Sequence, residues 1–362
     1  MVVIHDKMLF MISLLTKNKP VPRKTKIICT IGPSSKSEGV IKKMILEGMD
    51  IARFNFSHGH LEEFEEWAKI IRKLSKKLKR KVEIIQDLQG PRIRIGKLST
   101  EGRHINVGSK VTLVFGNNGL GRGEIPVKSD VEINLKRGDR VLMDKGLIEL
   151  DVRKSENGKV ICKALTSGVV FSGKGINIPS IKTNEAFTKK DLEDLEQGLK
   201  MGVDYVALSF VEEAQDIINL REIVKDKVKI IAKIEIHQAI KNYEEILEVS
   251  DAVMIARGDL GIEIPYYKLP SIQKRSIRRA INAGKPSIVA TDMMASMAVS
   301  SRPTRAEILD VANAVMDGTS AVMLSDETAV GKHPLCSVTV MRKVVEEAEH
   351  FLNSQKLNSL LD

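Results

Sequence analysis

Along the chain, short runs that are apolar at nearly every position alternate with longer stretches of helical period. The runs are KIICTIGP (26–33), DIARFNFSHG (50–59), EIIQDLQG (83–90), YVALSFV (205–211), IIAKIE (230–235), AVMIARGD (252–259), SIVATDMM (287–294) and SAVMLSDE (320–327). A run that is apolar on both faces reads as a parallel strand covered on both sides. Spacers such as EEFEEWAKIIRKLSKKL and DLEDLEQGLKMG carry the helical repeat. TRAE (304–307) is a capping box and NAGKP (282–286) a helix stop. Most strand-to-strand intervals are about 23 to 35 residues, the length of a βα unit. Eight such units in series predict an α/β fold, a (β/α)8 TIM barrel. An open doubly wound sheet calls for a glycine-rich phosphate loop after its first strand, and TIGPSSKSEG does not supply one.

One interval breaks the rhythm. Between residues 90 and 205 the chain turns to short alternating runs, INVGSKVTLVFG, GDRVLMDKGLIELDV and GKVICKAL, with ENGK (156–159) as a hairpin turn. The pattern predicts a small all-β domain over 91–177, inserted after strand 3 and leaving from the rim where a lid sits. The barrel is expected over 25–90 and 178–352, with tails at 1–24 and 353–362. PLCSVTVMRKVVEEAEHFL is the expected closing helix.

Composition narrows the partners. The net charge of +10 favours anions, either nucleic acid or phosphorylated small molecules. Aromatics are only 4% of the chain, too few for base-stacking platforms, and the basic residues are dispersed among acidic neighbours. The expectation is no nucleic-acid partner. MLFMISLL (8–15) is too short to span a bilayer and lacks a cleavage site, so no membrane partner is expected either. Cys29, Cys162 and Cys336 lack metal-ligand spacing and point to reduced thiols and a cytoplasmic address.

In a barrel of this kind the chemistry gathers at the carboxyl ends of the strands. Those ends carry Arg53, Asn55 and Ser57, then Asp87, Lys233 with Glu235, Arg257 with Asp259, Thr291, and Ser325 with Glu327. In IIAKIEIH (230–237), Lys233 and Glu235 stand two apart and share one face of an otherwise apolar strand. A buried ion pair is the plainest reading, but such a pair rarely repays its desolvation without further partners. Glu235 and Asp259 are read as ending neighbouring strands, about 4.8 Å apart. Two carboxylates that close need a shared proton or a bridging cation. A hard divalent ion such as Mg²⁺ takes few carboxylates and leaves sites for substrate oxygens. Arg53, Arg94 and Lys233 surround that place with positive charge, which suits a phosphorylated carboxylic acid. Phosphoryl transfer needs mainly positioned cations and a metal. Lys233 is also placed to stabilise an enolate.

With these residues in view, the chain resembles the pyruvate kinase family. The resemblance is carried in order by TKIICTIGPSS, DIARFNFSHG, DLQGPRIRIG, GKGINIP, YVALSFV, KIE, ARGDLGIEIP, GKPSIVAT, SRPTRAE and VMLSDETAVGKHP, over about residues 25 to 350. It implies transfer of the phosphoryl group of phosphoenolpyruvate to ADP, giving pyruvate and ATP in the last step of glycolysis. It implies that Glu235 and Asp259 hold Mg²⁺ or Mn²⁺, and that Arg53, Lys233, Gly258, Asp259 and Thr291 bind substrate. Lys233, Arg53 and Arg94 then stabilise the transferring group. Thr291 lies near the carbon that gains a proton, and Ser325 belongs to the proton relay. Pro33, Asn55, His58, Arg94 and Lys174 match nucleotide contacts. Asn55, Ser57, Asp87 and Leu88 match a monovalent-ion site. Potassium-requiring members have glutamate at the position of Arg92 and Thr-Lys at Leu88-Gln89; potassium-independent members have Leu-Gln and a lysine. Arg92 is therefore expected to act as a fixed substitute cation, with K⁺ not required.

The chain also departs from the family. DMMASM (292–297) stands where Gln-Met-Leu-Glu-Ser-Met is usual, Asp326 where glycine is, and Ile236 where asparagine is. Retained chemistry with altered affinity is the expectation. Nothing corresponds to the family's C-terminal effector domain, so no effector response of that type is expected. The chain is read as a monomer, or a homodimer through barrel helices near IQKRSIRRAINAG and SSRPTRAE. Two other readings stay open at this stage: a metal-dependent enolate lyase or decarboxylase on the same barrel, and a catalytically weakened binding homologue.

Overall fold

The computed structural model describes residues 23–116, 121, 123–130, 133–179 and 187–358. The MLFMISLL segment lies outside them. The chain opens with three βα-type strands, β1 (Lys26–Thr30), β2 (Ile51–Asn55) and β3 (Glu83–Asp87), separated by α1 (Glu38–Glu47) and α2 (Leu61–Leu78). Ser37 caps α1 by accepting from the Val40 N–H, and Gly48 ends it at φ 124°.

The inserted region then contributes β4 (Ile93–Ile95), β5 (Arg103–Ile105), β6 (Lys110–Phe115), β7 (Ile125–Ser129), β8 (Arg140–Met143), β9 (Ile148–Glu156), β10 (Lys159–Ala164), β11 (Gly168–Val170) and β12 (Gly175–Asn177). Seven of these close a second barrel in the order β10-β6-β7-β4-β12-β8-β9, with β5 and β11 paired beside it. It has its own apolar core, with Leu113, Ile125, Val141, Met143 and Leu150 fully buried.

The chain returns through α3 (Lys189–Met201), β13 (Tyr205–Leu208), α4 (Ala214–Val224), β14 (Lys229–Ile234), α5 (His237–Lys241), α6 (Tyr243–Val249), β15 (Ala252–Ala256), α7 (Arg257–Glu263), α8 (Leu269–Asn282), β16 (Ser287–Ala290), α9 (Arg305–Met316), β17 (Ala321–Leu324), α10 (Asp326–Ala329) and α11 (Pro334–Asn358). The eight long-range strands close a wholly parallel barrel, β1-β17-β16-β15-β14-β13-β3-β2. The TIM barrel with an inserted β domain is thus the observed architecture. Each barrel strand ends before its apolar run does. The fourth barrel strand stops at Leu208 because Phe210 turns left-handed (φ 55°), and the closing helix continues past 352 to Asn358.

The barrel interior explains where the polar residues fall. One core cluster fills it with Ile28, Ile51, Ile85, Ala207, Ile231, Met254, Ala290 and Met323, drawn from all eight strands. Side chains two residues on share the same face. Counting forward by two from Ile28, Ile51, Ile85, Ala207 and Ile231 gives Thr30, Arg53, Asp87, Ser209 and Lys233, and one more step gives Glu235. Hydrophobic layers below therefore set the polar layer at the mouth. The alternate positions face outward into a larger cluster shared with the helices. Between β3 and α3 the packing is close enough that a Cβ on Gly198 would lie 1.9 Å from the Gln86 amide oxygen, so only glycine fits there.

Candidate active site

Lys233 is the hub of the mouth. Its Nζ lies 2.7 Å from Ser209 Oγ, 3.2 Å from Asp87 Oδ1 and 3.2 Å from Glu235 Oε2. Burial opposes the charge, but Asp87 and Glu235 overcome it, and the ammonium titrates above its ordinary value. The ion pair read first from IIAKIEIH is therefore present, and it does have the further partners that such a pair needs. Asp87 is buried too, yet Lys233 and Arg53 hold it below the usual carboxylate range. Arg53 reaches Asp87 Oδ2 at 2.7 Å through Nε and Thr30 Oγ1 at 3.0 Å through Nη1. The Thr30 hydroxyl in turn donates to the Leu324 carbonyl at 2.9 Å.

Glu235 is fully buried. Its Oε1 accepts the Phe210 N–H at 2.7 Å, which the left-handed turn at Phe210 aims at it. Its Oε2 has the Lys233 charge nearby but no hydrogen-bond partner. Burial raises the Glu235 pKa, and the neighbouring Asp259 raises it further. A buried carboxylate oxygen without a donor, with a second carboxylate in its field, fits a divalent cation as the missing counter-charge. Among the described residues no group of three or more His, Cys, Asp or Glu could hold a metal alone. Such an ion needs its remaining ligands from water or substrate. Asp259 sits in the first turn of α7 rather than at a strand end, because the chain turns helical directly after Ala256.

Arg257 is not one of the mouth's cations. Its Nη2 donates to the Thr291 carbonyl at 2.6 Å and its Nη1 pairs with Asp310 at 2.7 Å. Thr291 itself has φ 70° and Asp292 φ 53°, rare for non-glycine residues and strained for a β-branched one. The Thr291 hydroxyl donates to the Ala290 carbonyl at 2.6 Å and accepts the Gly258 N–H at 2.7 Å. Across the rim, Ser325 Oγ is buried without a partner. Glu327 accepts the N–H groups of Met294 (3.0 Å) and Ser325 (2.7 Å), and burial raises its pKa.

His58, on the turn after β2, titrates below its ordinary value through burial and the fields of Arg92, Arg94 and Arg53, with Asp326 opposing. Residues of the inserted barrel thus face the β2 turn. Arg94 is lowered by burial and by Arg92, and its Nη1 reaches the Gly173 carbonyl at 3.5 Å. Arg92 exchanges contacts with Asp130 and the Gln89 carbonyl. Asn55 Oδ1 accepts the Ser57 N–H at 3.2 Å, and the Leu88 carbonyl accepts from Ser209. Lys174 pairs with Asp144 at 2.7 Å within the inserted barrel. Pro33 lies exposed in the turn after β1, whose Ser34 N–H donates to the Ala329 carbonyl of α10. The sequence reading missed Ser209 and Thr30; the two-residue phase from Ala207 and Ile28 marks both.

These features define a class, a (β/α)8-barrel enzyme with a β-barrel inserted after the third strand and a charged site at the carboxyl rim. The family description "Pyruvate kinase, barrel domain" matches residues 22–338, and the chain belongs to the pyruvate kinase family. It is 43% identical over 336 residues to a pyruvate kinase of Thermococcus litoralis, covering 91% of this chain and 71% of that relative. It is 43% identical over 345 residues to a pyruvate kinase of Staphylococcus saprophyticus, where the shares are 93% and 59%. The crystal structure of a pyruvate kinase from Cryptosporidium parvum superposes with a TM-score of 0.85 at 37% identity, covering 91% of this chain and 70% of that one. The chain thus spans less than two thirds of the staphylococcal relative's length. Its relatives mark it as a phosphotransferase.

Proposed function

We propose that the protein transfers the phosphoryl group of phosphoenolpyruvate to ADP, yielding pyruvate and ATP. The observation that carries this reading is the Lys233 hub, an ammonium held charged at the mouth beside a buried carboxylate oxygen that lacks a donor. Glu235 and Asp259 would hold Mg²⁺ or Mn²⁺, which supplies positive charge to substrate oxygens when bound. Arg53 and Lys233 then face the phosphoryl group from below and Arg94 from the inserted barrel. Their fixed charges oppose the charge that develops on the transferring oxygens.

Lys233 also stabilises the enolate left behind. Thr291 stands by the carbon that gains a proton, and the unpartnered Ser325 hydroxyl is free to carry that proton in. Gly258 and Asp259 complete the substrate side. Pro33, Asn55, His58, Arg94 and Lys174 form the nucleotide side, and the inserted barrel acts as a lid. Asn55, Ser57, Asp87 and Leu88 frame the monovalent-ion position, with Arg92 as substitute cation and no potassium requirement.

Among the described residues no helix is long and apolar enough to cross a membrane. We place the protein in the cytoplasm, which suits its three buried cysteines, none of them in a disulfide. It works there as a monomer or homodimer. Two charges of the proposed dimer helix are engaged within the chain, Lys274 with Asp317 and Arg279 with Glu244. The test is pyruvate formation from phosphoenolpyruvate, ADP and Mg²⁺. EDTA should abolish it, and Lys233→Met should cost about 10²- to 10³-fold in rate. Unchanged turnover in Lys233→Met sinks the assignment.

A further inference from the structure

The seven-residue helix α7 has two working ends. Its first turn carries Asp259 and the Gly258 N–H that binds Thr291. Its last turn touches the inserted barrel at two places. Ile262 lies against Gly146, where an added Cβ would come 3.4 Å from Ile262 Cγ2. Glu263 hydrogen-bonds the Asn177 side chain in β12 and accepts the backbone N–H of His237.

Both contacts lead to Lys174. Gly146 closes the turn Asp144–Lys145–Gly146, all at positive φ, and Asp144 holds Lys174 at 2.7 Å. The Asp144 N–H also donates to the Gly175 carbonyl at 3.3 Å, two residues before Asn177. On the other side, His237 is two residues beyond Glu235. One carboxyl therefore joins the strand that follows Lys174, the turn that follows Glu235 and the helix that bears Asp259.

We propose that the last turn of α7 is the seat on which the inserted barrel rests, and that Glu263 is a positioning residue. It sets the place of Lys174 relative to Glu235 and Asp259 when the inserted barrel is seated. Burial and the nearby Asp259 and Glu235 push the Glu263 carboxyl up to about 7. The joint survives both protonation states: the carboxylate accepts from the Asn177 amide nitrogen, and the acid donates to its oxygen. This inference rests on the proposed phosphotransfer for its kinetic readout only.

The experiment is a double-mutant cycle. Glu263→Ala and Asn177→Ala should each lower kcat/KM for ADP about tenfold, the size of one lost hydrogen bond to a charged group. The double variant should be no worse than the poorer single, and Glu263→Gln should return to within about twofold, because an amide keeps both contacts. Mn²⁺ binding without nucleotide should stay unchanged in all variants. Additive losses, or Glu263→Gln as poor as Glu263→Ala, overturn the seat. A mere stability contact would move Tm and leave kcat/KM alone. Hydrogen exchange without substrate gives an independent arm: amides of 142–147 and 174–177 should exchange faster in Glu263→Ala than in Glu263→Gln. A wild type that forms no pyruvate but shows this exchange pattern rejects the phosphotransfer and keeps the seat. An active wild type matched by Glu263→Ala in both rate and exchange rejects the seat alone.

Discussion

Arg53 and Lys233 grip opposite oxygens of one buried carboxylate, Asp87, at 2.7 and 3.2 Å. The two cations proposed to face the phosphoryl group are thus spaced by a single rigid anion. Asp87→Ala leaves both unbalanced in a buried layer, which typically costs about 3–5 kcal/mol. The expected outcome is a clearly lower urea midpoint together with a loss of phosphotransfer. A wild-type midpoint contradicts the spacer role.

Thr291 separates strain from chemistry. Thr291→Ser keeps the hydroxyl that accepts from Gly258 and should retain activity. Thr291→Val keeps the shape and leaves that N–H without its acceptor, at a cost of about 1–3 kcal/mol. Thermal unfolding and turnover of the two variants, measured side by side, should diverge. Equal behaviour shows that the hydroxyl does nothing there.

Stability should depend on pH through Glu263. Its folded pKa of about 7 lies above the ordinary glutamate value, so folding favours the protonated form. The associated stability is complete below about pH 4 and is lost as pH rises through 7, up to roughly 3 kcal/mol. Asp259 and Glu235 face the same carboxyl and are part of that upward shift. Glu263→Gln cannot ionise, so its Tm should gain on the wild type between pH 5 and 8. A constant gap between the two melting curves rejects this account.

Replacing potassium with sodium or tetramethylammonium should leave the rate of pyruvate formation nearly unchanged. Both oxygens of Asp87, one residue of the matched ion position, are already engaged by Arg53 and Lys233. A many-fold fall in rate without potassium removes Arg92 from the role of fixed cation.

Much of this site is legible in the sequence because a parallel barrel imposes a phase. Ile51 and Ile231 lie in the interior layer, and Arg53 and Lys233 follow two residues later, so local order alone places them. The same rule reaches Ser209 and Thr30, whose small hydroxyls look unremarkable in an apolar run. Arg257 and Asp259 break the rule, since the chain coils immediately after Ala256 and rotates each side chain by a helical rather than a strand step. Arg257 therefore turns to Asp310, a partner 53 residues away that no local pattern announces. The joint at Glu263 is hidden for a similar reason: it depends on how two barrels meet, not on any spacing within one.

The tether from Asp310 through Arg257 to the Thr291 carbonyl also has a bearing on how such a protein can change. Asp310 sits on an outer helix and is partly open to solvent, where drift is usually harmless. Its loss would release the arginine that clamps a strained residue at the mouth of the barrel. Anyone grafting or redesigning the outer face of α9 is therefore editing the reaction chamber, and position 310 should be inherited together with position 291.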